Sequence, residues 1–544
     1  MSLSRKDKGK NLKAIPFIII ALWQGGFSAI TWLFAGIFAA VMLWFSFKRD
    51  RDACIGLTPY LAFGGLTFTY VISAIINGGH LAAWLGAVKV AVAFLWLLLV
   101  FKSNPALDSI ALCTGLIAAI TGIAAYSGLL PVSGMVEGRR LFGLFQYANV
   151  TAIFLAVCAF LTRTSDCGRK RRHIWAALME IALILTQSVG GIVVYIIGWI
   201  VYLVTNKAKR PIITALIATA LTVLSAAGMF LLRGVQPLAT FAERIMHITD
   251  GLRTMLANPL GIGAGSWNFH VREYQTFDYV SVMPHSGYIQ IGLAGGFSAL
   301  VLTLALIGYW LWTCGKQSKK PSKYTISALM ILVHAVQDIS LSFLSVIILL
   351  FMCINSAIRD GKGDNQSKTI KIPERFRHFG TGILATVIII CVLAVIPEST
   401  KNQAKWLEKA GEYDAALTKL EKGFLLQNDD EALLLRMDYA EQTGNFAALD
   451  KAFELMKTPN ARAYRSRSLS FAYSDEYEKA AEYTLLRIQK APYRKEGYER
   501  LEVITRPFPA ESRAEFLQKA EIIRENARHN AHFLTDFLNG YYAE

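Results

Sequence analysis

The first 400 residues alternate between long apolar runs and short polar loops, whereas the rest of the chain has the spacing of water-soluble helices. A run of about 20 apolar residues can cross a bilayer as a helix. About twelve to thirteen such runs predict an all-α polytopic membrane domain over residues 14–400. The predicted spans are residues 14–26, 28–47, 54–75, 80–101, 106–128, 147–163, 173–188, 190–205, 211–232, 285–313, 324–339, 341–357 and 378–397.

Lysine and arginine are unevenly divided between the two sets of loops. The N-terminus and alternate loops hold 27 of them, while the opposite loops, without the tail after residue 400, hold six arginines. Because basic residues accumulate on the cytoplasmic side, this predicts a cytoplasmic N-terminus, residues 1–13, and an uncleaved first span. All six arginines lie in two longer loops predicted to be external, residues 128–147 and 233–284. The net charge of +16 therefore reflects membrane topology rather than nucleic acid binding.

Residues 401–544 differ from the membrane part in charge and in pattern. They hold 22 Lys/Arg against 24 Asp/Glu, and a short motif that starts at Gly411 returns at Gly444 and Asp475. The spacings of 33 and 31 residues are close to the roughly 34 residues of tetratricopeptide repeats. We therefore predict a tetratricopeptide-like helical-repeat domain of about three units, with an ordinary helical bundle as the alternative. Thirteen spans would place this tail outside, and such arrays usually bind protein partners.

The first external loop contains residues suited to binding an anion or a sugar. Arg139 and Arg140 precede Gly143, and Asn149 follows where the loop leads into the span at 147–163. A guanidinium can bind two phosphate oxygens, glycine allows close backbone approach, and asparagine caps a helix or hydrogen-bonds a hydroxyl. A simple interfacial helix start remains the alternative, and Arg140 is the better candidate of the two arginines.

The second external loop contains Arg244 and a glycine-rich turn. Arg244 stands at the start of a short amphipathic segment, and the turn holds Gly261, Gly263 and Gly265. No strand precedes this turn, so we reject a dinucleotide-binding interpretation and expect the glycines to shape the loop. Arg244 is the better candidate for contact with an anionic ligand, because a guanidinium matches phosphate geometry.

Further polar side chains lie at the predicted outer ends of two spans. His285 precedes the tenth span, and its imidazole could act as a general base near neutral pH. Taken alone, the residue types favour an ordinary helix-start role for His285. Gln290 follows on nearly the same helical face as Ser286. Asp338 comes four residues after His334, and an ionisable group at such a depth usually faces a cavity or a partner.

The order and spacing of these residues resemble the O-antigen ligase and polymerase family of membrane glycosyltransferases. The resemblance extends over residues 14–400, and its specific part consists of three patches, at 140–152, 187–191 and 244–290. These patches carry Arg-x-x-Gly-x-Phe-x-x-x-Asn, Gln-Ser-Val-Gly-Gly, and an arginine followed by Pro-Leu-Gly and His-Ser-x-Tyr-Ile-Gln. One position departs from the family pattern. Val189 stands where a basic residue is common, which puts the details of donor binding in doubt.

The resemblance also implies roles for individual residues. It implies that His285 is catalytic and that Arg140 and Arg244 neutralise a departing pyrophosphate. It places Asp338 near the active cavity as a supporting group. The remaining candidates for substrate binding are Arg139, Gly143, Asn149 and Gln290.

Together, pattern and resemblance predict a multi-pass glycosyltransferase of the bacterial cytoplasmic membrane. As the resemblance implies, the donor would be a glycan on undecaprenyl pyrophosphate at the outer leaflet, and the acceptor a sugar hydroxyl of a lipid, a glycan or a protein. We expect no metal and no cofactor, because two arginines can neutralise the pyrophosphate and the outer loops lack an Asp-x-Asp pair. A direct displacement would invert the anomeric centre. The alternatives are a flippase or transporter for the same polymers, and a non-catalytic scaffold that recruits partners through its tail.

Overall fold

The computed structural model of the protein describes residues 15–49, 57–165, 169–207, 236–279, 281–317, 320–362 and 374–529, together with 534, 535 and 538. The membrane part contains α1 (Ile15–Leu22), α2 (Ala29–Arg49), α3 (Leu57–Ile76), α4 (Leu81–Ser103), α5 (Leu107–Tyr126), α6 (Ala148–Thr164), α7 (Arg169–Leu185), α8 (Val189–Tyr202), α9 (Gln236–Ala257), α10 (Trp267–Tyr274), α11 (Gly287–Gln317), α12 (Lys323–His334), α13 (Leu344–Lys362) and α14 (Glu374–Lys409). In the described chain, strand is confined to the antiparallel hairpin of β1 (Val136–Glu137) and β2 (Arg140–Leu141).

Seven helices in the described ranges are long and apolar enough to cross a membrane. They cover Ala29–Ser46, Leu57–Ile76, Leu81–Ser103, Leu107–Tyr126, Val189–Asn206, Gly287–Lys316 and Gly380–Lys409. Two further apolar helices, α6 and α12, are shorter. The predicted all-α polytopic membrane fold is therefore confirmed. The total of twelve to thirteen spans stays a prediction, since the predicted span at 211–232 lies outside the described residues.

The centre of the membrane part is α6, which is buried along almost its whole length. Helices α5, α7, α8 and α12 all pack against it, and its side chains form much of the main apolar core. A helix that is apolar on every side must be shielded from water, and here the surrounding helices shield it. Tyr147 and Asn149 lie at its N-terminal end, where the surrounding helices hold them in place.

The helix α11 is interrupted at Gly296, where φ is 83° and ψ is −179°. A turn from the preceding loop completes the interrupted hydrogen bonds. The amide of Phe297 donates to the carbonyl of Pro259 at 2.9 Å, and the amide of Ile262 donates to the carbonyl of Leu293 at 2.7 Å. A Cβ atom on Gly296 would meet Pro259 at 2.5 Å, so the position requires glycine. The glycine-rich turn thus shapes the loop and anchors it to the first half of α11.

The last membrane helix does not end with the span predicted for residues 378–397. It continues without a break through Pro397 and joins the membrane part directly to the tail. Lys401 on this helix is buried, and its ammonium lies 2.7 Å from Glu398 and 2.8 Å from both Asp429 and Glu431. Glu398 lies on α14 itself, whereas Asp429 and Glu431 belong to the tail, so two of these ion pairs join α14 to the tail.

The tail contains seven helices in the described residues, and each packs on its neighbour in the chain. They are α15 (Tyr413–Glu421), α16 (Asp430–Thr443), α17 (Phe446–Leu455), α18 (Ala461–Tyr473), α19 (Tyr477–Lys490), α20 (Lys495–Ile504) and α21 (Ala510–His529). Gly411, Gly444 and Asp475 all have a positive φ, and a helix begins two residues after each. The repeated sequence motif is therefore a repeated helix–turn–helix unit, while its assignment to the tetratricopeptide class stays a prediction.

The tail lies against the membrane part through the turns that link its repeated units. These turns, residues 422–430, 455–461 and 490–495, form what we call the docking edge. Their contacts with the membrane part are Asp430 to His80 at 3.3 Å, Lys457 to the carbonyl of Gly78 at 2.5 Å, Lys490 to Glu273 at 2.8 Å and Arg494 to Asp278 at 3.3 Å. Because Glu273 and Asp278 belong to the loop that leads to His285, the tail and His285 lie on the same side of the membrane helices. We call this the tail side.

Candidate active site

Five segments that are far apart in the chain meet at the tail-side end of the membrane helices. They supply Tyr147 and Asn149 at the start of α6, Ser188 before α8, Arg244 on α9, His285 before α11 and Asp338 after α12. We call these six residues the polar cluster. Hydrogen bonds or close charge contacts link each member to at least one other.

Asp338 is the centre of the polar cluster. Its side chain is fully buried, and Oδ2 accepts hydrogen bonds from the Tyr147 hydroxyl at 3.2 Å and from the Asn149 amide at 3.0 Å. The guanidinium of Arg244 lies 3.7 Å from the same oxygen. The other carboxylate oxygen of Asp338, Oδ1, is buried and has no hydrogen-bond partner in the described chain. Such orphaned acceptors are uncommon in folded proteins and call for an explanation, for which a ligand or a bound water is the simplest candidate.

His285 is held in an unusual backbone conformation beside this carboxylate. Its φ is 47°, in the left-handed region that residues other than glycine rarely adopt. Nδ1 lies 3.4 Å from the Tyr147 hydroxyl. The amide of Gly287 donates to the carbonyls of Ala335 at 2.8 Å and Asp338 at 2.9 Å, which ties the start of α11 to the turn after α12. The strain at His285 is therefore maintained by contacts on both of its sides.

The protonation of His285 is controlled by its surroundings. Burial lowers its pKa, the neighbouring Arg244 lowers the pKa further, and Asp338 acts in the opposite direction. The neutral ring is consequently the form present near neutral pH. A neutral imidazole can accept a proton, which is the requirement for a general base.

A second histidine, His247, lies flat against the ring of His285. The ring centroids are 5.1 Å apart and the planes differ by 17°. Tyr279 contacts His247 at 4.3 Å between centroids, and its hydroxyl donates to the buried Asp250 at 2.9 Å. Asp250 also accepts from the amide and the hydroxyl of Thr276. Both ring nitrogens of His247 are buried without a hydrogen-bond partner among the described residues, and burial lowers its pKa to about 3.

Arg140 lies at the edge of the polar cluster, beside the segment that contains Ser188. Its Nε donates to the carbonyl of Thr186 at 3.2 Å. Arg139 differs from it in being exposed. Gly143 has a φ of 61°, and a Cβ atom there would meet the side chain of Thr151 at 3.0 Å. Glycine therefore lets the loop close onto α6, while Arg139 does not join the cluster.

Ser188 connects the patch at 187–191 to the cluster. Its hydroxyl donates to Oδ1 of Asn149 at 2.9 Å, and its oxygen accepts the amide of Gly191 at 3.3 Å as the cap of α8. Val189 is the next residue, so the departure from the family pattern lies at the border of the polar cluster. Arg140 contacts the carbonyl of Thr186, three residues before Val189.

Gln290 does not join the polar cluster. Its side-chain oxygen accepts a hydrogen bond from Ser342 at 2.7 Å, and it lines a cavity of about 1700 Å³. The cavity passes Pro284 and Gly287, on either side of His285, but His285 itself is not part of the lining. This cavity and the polar cluster thus lie on different sides of this segment.

Three side chains of this region were not predicted from the sequence: Tyr147, His247 and Tyr279. Tyr147 lies within the patch at 140–152. His247 follows Arg244 by three residues, a spacing that puts two side chains on one face of a helix and could have identified it. Tyr279 carries no comparable signal, because its contact depends on how the loop folds.

One protein family matches part of the chain. Residues 174–304 match the O-antigen ligase family model. The match covers less than half of the chain and includes Arg244 and His285, whereas Tyr147 and Asp338 lie outside it. No curated protein matches the chain. The O-antigen ligase match supports a role as a membrane glycan ligase or polymerase in a multi-pass membrane protein.

Proposed function

We propose that the protein transfers or polymerises glycans from an undecaprenyl-pyrophosphate-linked donor at the outer face of the cytoplasmic membrane. The acceptor is a hydroxyl group of a lipid, a glycan or a protein. The observation that carries this proposal is the convergence of His285, Arg244 and Asp338 in one buried cluster. A base for the acceptor hydroxyl and a cation for the leaving phosphate assist glycosyl transfer from a pyrophosphate, and the buried carboxylate of Asp338 lies beside both.

His285 is the proposed general base. Because its Nδ1 faces the Tyr147 hydroxyl, Nε2 is the nitrogen assigned to the acceptor hydroxyl. The acceptor oxygen loses its proton to Nε2 and bonds to the anomeric carbon of the donor. The bond between that carbon and the pyrophosphate oxygen breaks, and the electron pair leaves with the pyrophosphate. A single displacement of this kind inverts the anomeric centre.

Arg140 and Arg244 are proposed to stabilise the departing pyrophosphate. Each guanidinium is oriented by a backbone carbonyl, that of Thr186 for Arg140 at 3.2 Å and that of Gln337 for Arg244 at 3.1 Å. Orienting bonds of this type hold a cation in place before the reaction begins, which makes its electrostatic effect larger. Negative charge accumulates on the leaving group as the bond breaks, so the two arginines would bind the transition state more tightly than the donor.

Asp338 and His247 are proposed to position the reacting groups. Asp338 holds Tyr147 and Arg244 through one carboxylate oxygen, and its attraction for a positive charge favours the imidazolium that forms on His285. His247 supports the opposite face of the His285 ring and remains neutral because it is buried. A neutral neighbour does not repel the imidazolium, so the stack can persist through the reaction.

The test is a set of chromosomal variants with equal membrane levels: His285→Ala, Arg244→Ala and Arg140→Ala. We expect each to lose anchored or high-mass surface glycan and to accumulate the lipid-linked precursor. Acceptors that carry only single repeat units would identify the protein as a polymerase. Long chains that are not attached to an acceptor would identify it as a ligase. Matched controls are His270→Ala and Arg253→Ala, from the same loop region but outside the polar cluster, and these should keep wild-type glycans.

The same experiment separates the alternatives. A flippase or transporter would leave the precursor on the cytoplasmic side, where an externally added glycan-cleaving enzyme cannot reach it in intact spheroplasts. A transferase leaves the precursor accessible. Normal glycans in all three variants would contradict the catalytic proposal and leave the scaffold interpretation.

A further inference from the structure

A row of exposed apolar side chains on α14 leads from the membrane into the tail. Ile389, Leu393 and Ile396 are exposed by 59, 45 and 45% and lie three or four residues apart, on one face of the helix. On a helix long and apolar enough to cross a membrane, such a face is in contact with lipid. The row ends near Thr400, just beyond the apolar run, so the membrane surface lies at about this level.

The first helix of the tail folds back along α14 toward that surface. The chain reverses at Gly411, and the amide of Glu412 donates to the carbonyl of Leu407 at 2.9 Å. Helix α15 then packs on the end of α14, and the two border an open cleft of about 720 Å³. Ile396 and Phe424 both line this cleft. The turn after α15 therefore returns to the level at which α14 leaves the membrane.

Two large apolar side chains are exposed at this turn. Phe424 is 51% exposed and Leu425 is 50% exposed, while the following Leu426 is fully buried and anchors the turn. The φ of Leu425 is 60°, an unfavourable conformation for a leucine that the anchored turn maintains. Neighbouring exposed apolar groups are unfavourable in water and favourable in lipid.

The turn that contains Phe424 and Leu425 belongs to the docking edge, and its position there indicates that it contacts lipid. The other turns of the edge rest on the loops of the membrane part through Lys457, Lys490 and Arg494. Phe424 belongs to the same edge, but it lines a cleft with Ile396 of the lipid-facing row of α14 instead, and the exposed Leu425 is the next residue in the chain. Lys419 and Lys422, both exposed, line the same cleft with one acidic residue, Asp414, so the cleft carries a net positive charge beside Phe424.

We propose that Phe424 and Leu425 insert into the lipid surface on the tail side, with Lys419 and Lys422 facing the lipid phosphates. Aromatic and aliphatic side chains flanked by lysine are the composition of segments that lie at a membrane interface. This contact would fix the tail over the membrane part in addition to its contacts with the loops. The proposal does not depend on the glycosyltransferase function.

Photocrosslinking in the full chain tests it. A benzophenone amino acid replaces Leu425 in protein reconstituted into nanodiscs of phosphatidylcholine and phosphatidylglycerol. We expect a lipid adduct on the tail peptide by mass spectrometry. The matched control is the same amino acid at Tyr473, an exposed aromatic residue at the end of α18, on the opposite edge of the repeat. Its lipid adduct should be at least tenfold lower.

A charge variant tests the lysines separately. Lys419→Glu with Lys422→Glu should lower the Leu425 adduct at least twofold in discs that contain phosphatidylglycerol and leave it unchanged in phosphatidylcholine alone. Protection of α16 from hydrogen exchange confirms that the tail remains folded. An adduct at residue 425 no greater than at 473, or crosslinks to protein in place of lipid, would overturn the proposal.

Discussion

The polar cluster and the junction around Lys401 are both buried groups of charged residues, yet they are built differently. At the junction, one ammonium is surrounded by three carboxylates at 2.7 to 2.8 Å. In the polar cluster, Arg244 is 3.7 Å from Asp338, and His285 is 3.4 Å from Tyr147. The first group is closely paired and the second is not.

This difference separates a structural role from a chemical one. Burying a charge costs free energy, which close opposite charges offset, so a group that only holds the fold together is expected to be closely paired. A group that must bind a ligand keeps part of its hydrogen-bonding capacity unused until the ligand arrives. Loose pairing in the polar cluster is therefore the property expected of a binding site, and it should respond to mutation differently from the Lys401 junction.

The largest effect is expected for Asp338→Ala. Removing this carboxylate leaves Arg244, Tyr147 and Asn149 without their common partner, so the transfer rate should fall by about 10³-fold, or about 4 kcal/mol in the barrier. Asp338→Asn keeps one acceptor oxygen and should lose less. The measurement is transfer from a lipid-linked donor by purified protein in nanodiscs. Asp108→Ala, which breaks an ion pair with Lys323 away from the cluster, is the control and should retain activity. Equal losses in both alanine variants would show that Asp338 is only structural.

Lys401→Met should affect stability instead of chemistry. Methionine fills the same space but leaves Glu398 and Asp429 without an ammonium, while Glu431 keeps Lys405, and the junction should be destabilised by about 3 kcal/mol. Hydrogen exchange of α15 and α16 measures this directly, since their opening should become easier. Lys405→Met is the matched control, because Lys405 is 41% exposed and pairs with Glu431 alone, so its loss should cost less than about 1 kcal/mol. If hydrogen exchange of α15 and α16 in Lys401→Met matched that of the wild type, the junction would not have the structural role that distinguishes it from the polar cluster.

A pH effect of intermediate size should come from His247. Its pKa is about 3 in the folded protein against about 6.5 when unfolded, so the unfolded state binds more protons between these values. Stability should therefore be complete above pH 6.5 and fall as the pH drops below it, by about 1.4 kcal/mol per pH unit for this group. Thermal unfolding from pH 7.5 to 4.5 measures the slope. His247→Phe keeps a flat ring against His285 and should reduce that slope.

The His247→Phe variant also tests whether His247 acts through the shape of its flat ring or through hydrogen bonds of its ring nitrogens. As a positioning residue it should be replaceable by phenylalanine with little change in kcat, whereas His247→Ala should lower kcat about tenfold and leave KM for the donor nearly unchanged. The acid side of the pH–rate profile reports the pKa of His285, which lies below its ordinary value of about 6.5. In His247→Ala this limb should move toward higher pH as water enters. A phenylalanine variant as slow as the alanine variant would instead indicate that a ring nitrogen contacts substrate.

Much of the fold follows from local pattern, and much of the site does not. The apolar runs that became α3, α4, α5 and α11 were recognisable because each is long enough to span a bilayer. The end of α14 was not, because the continuation from Pro397 into the tail depends on the partners of Lys401, which come from residues 429 and 431. Proline and a change of composition favour a boundary, and tertiary ion pairs overrode them.

Within the candidate site, the sequence located single residues better than their contacts. His285, Arg244, Asn149 and Asp338 were singled out, and the structure brings them together. Gln290 was placed on nearly the same helical face as Ser286, close to His285. The backbone is strained at His285, just before this helix, and Gln290 lines a cavity to which His285 does not contribute. Strain at a single residue cannot be deduced from periodicity, which assumes a regular helix.

The smallest effect is expected at the docking edge. Arg494 contacts Asp278 at 3.3 Å and both side chains are partly exposed, so the pair should contribute about 0.5 kcal/mol and be weakened by salt. Arg494→Ala should therefore change the hydrogen exchange of the loop at 275–284 only slightly at low salt and not at 0.5 M salt. The transfer rate of the Arg494→Ala protein should stay within about twofold of the wild-type rate. Asp250 independently holds the loop that leads to His285 through Thr276. A large loss of transfer in Arg494→Ala would mean that the tail controls the polar cluster through this contact, and the two regions would then have to be treated as one functional unit.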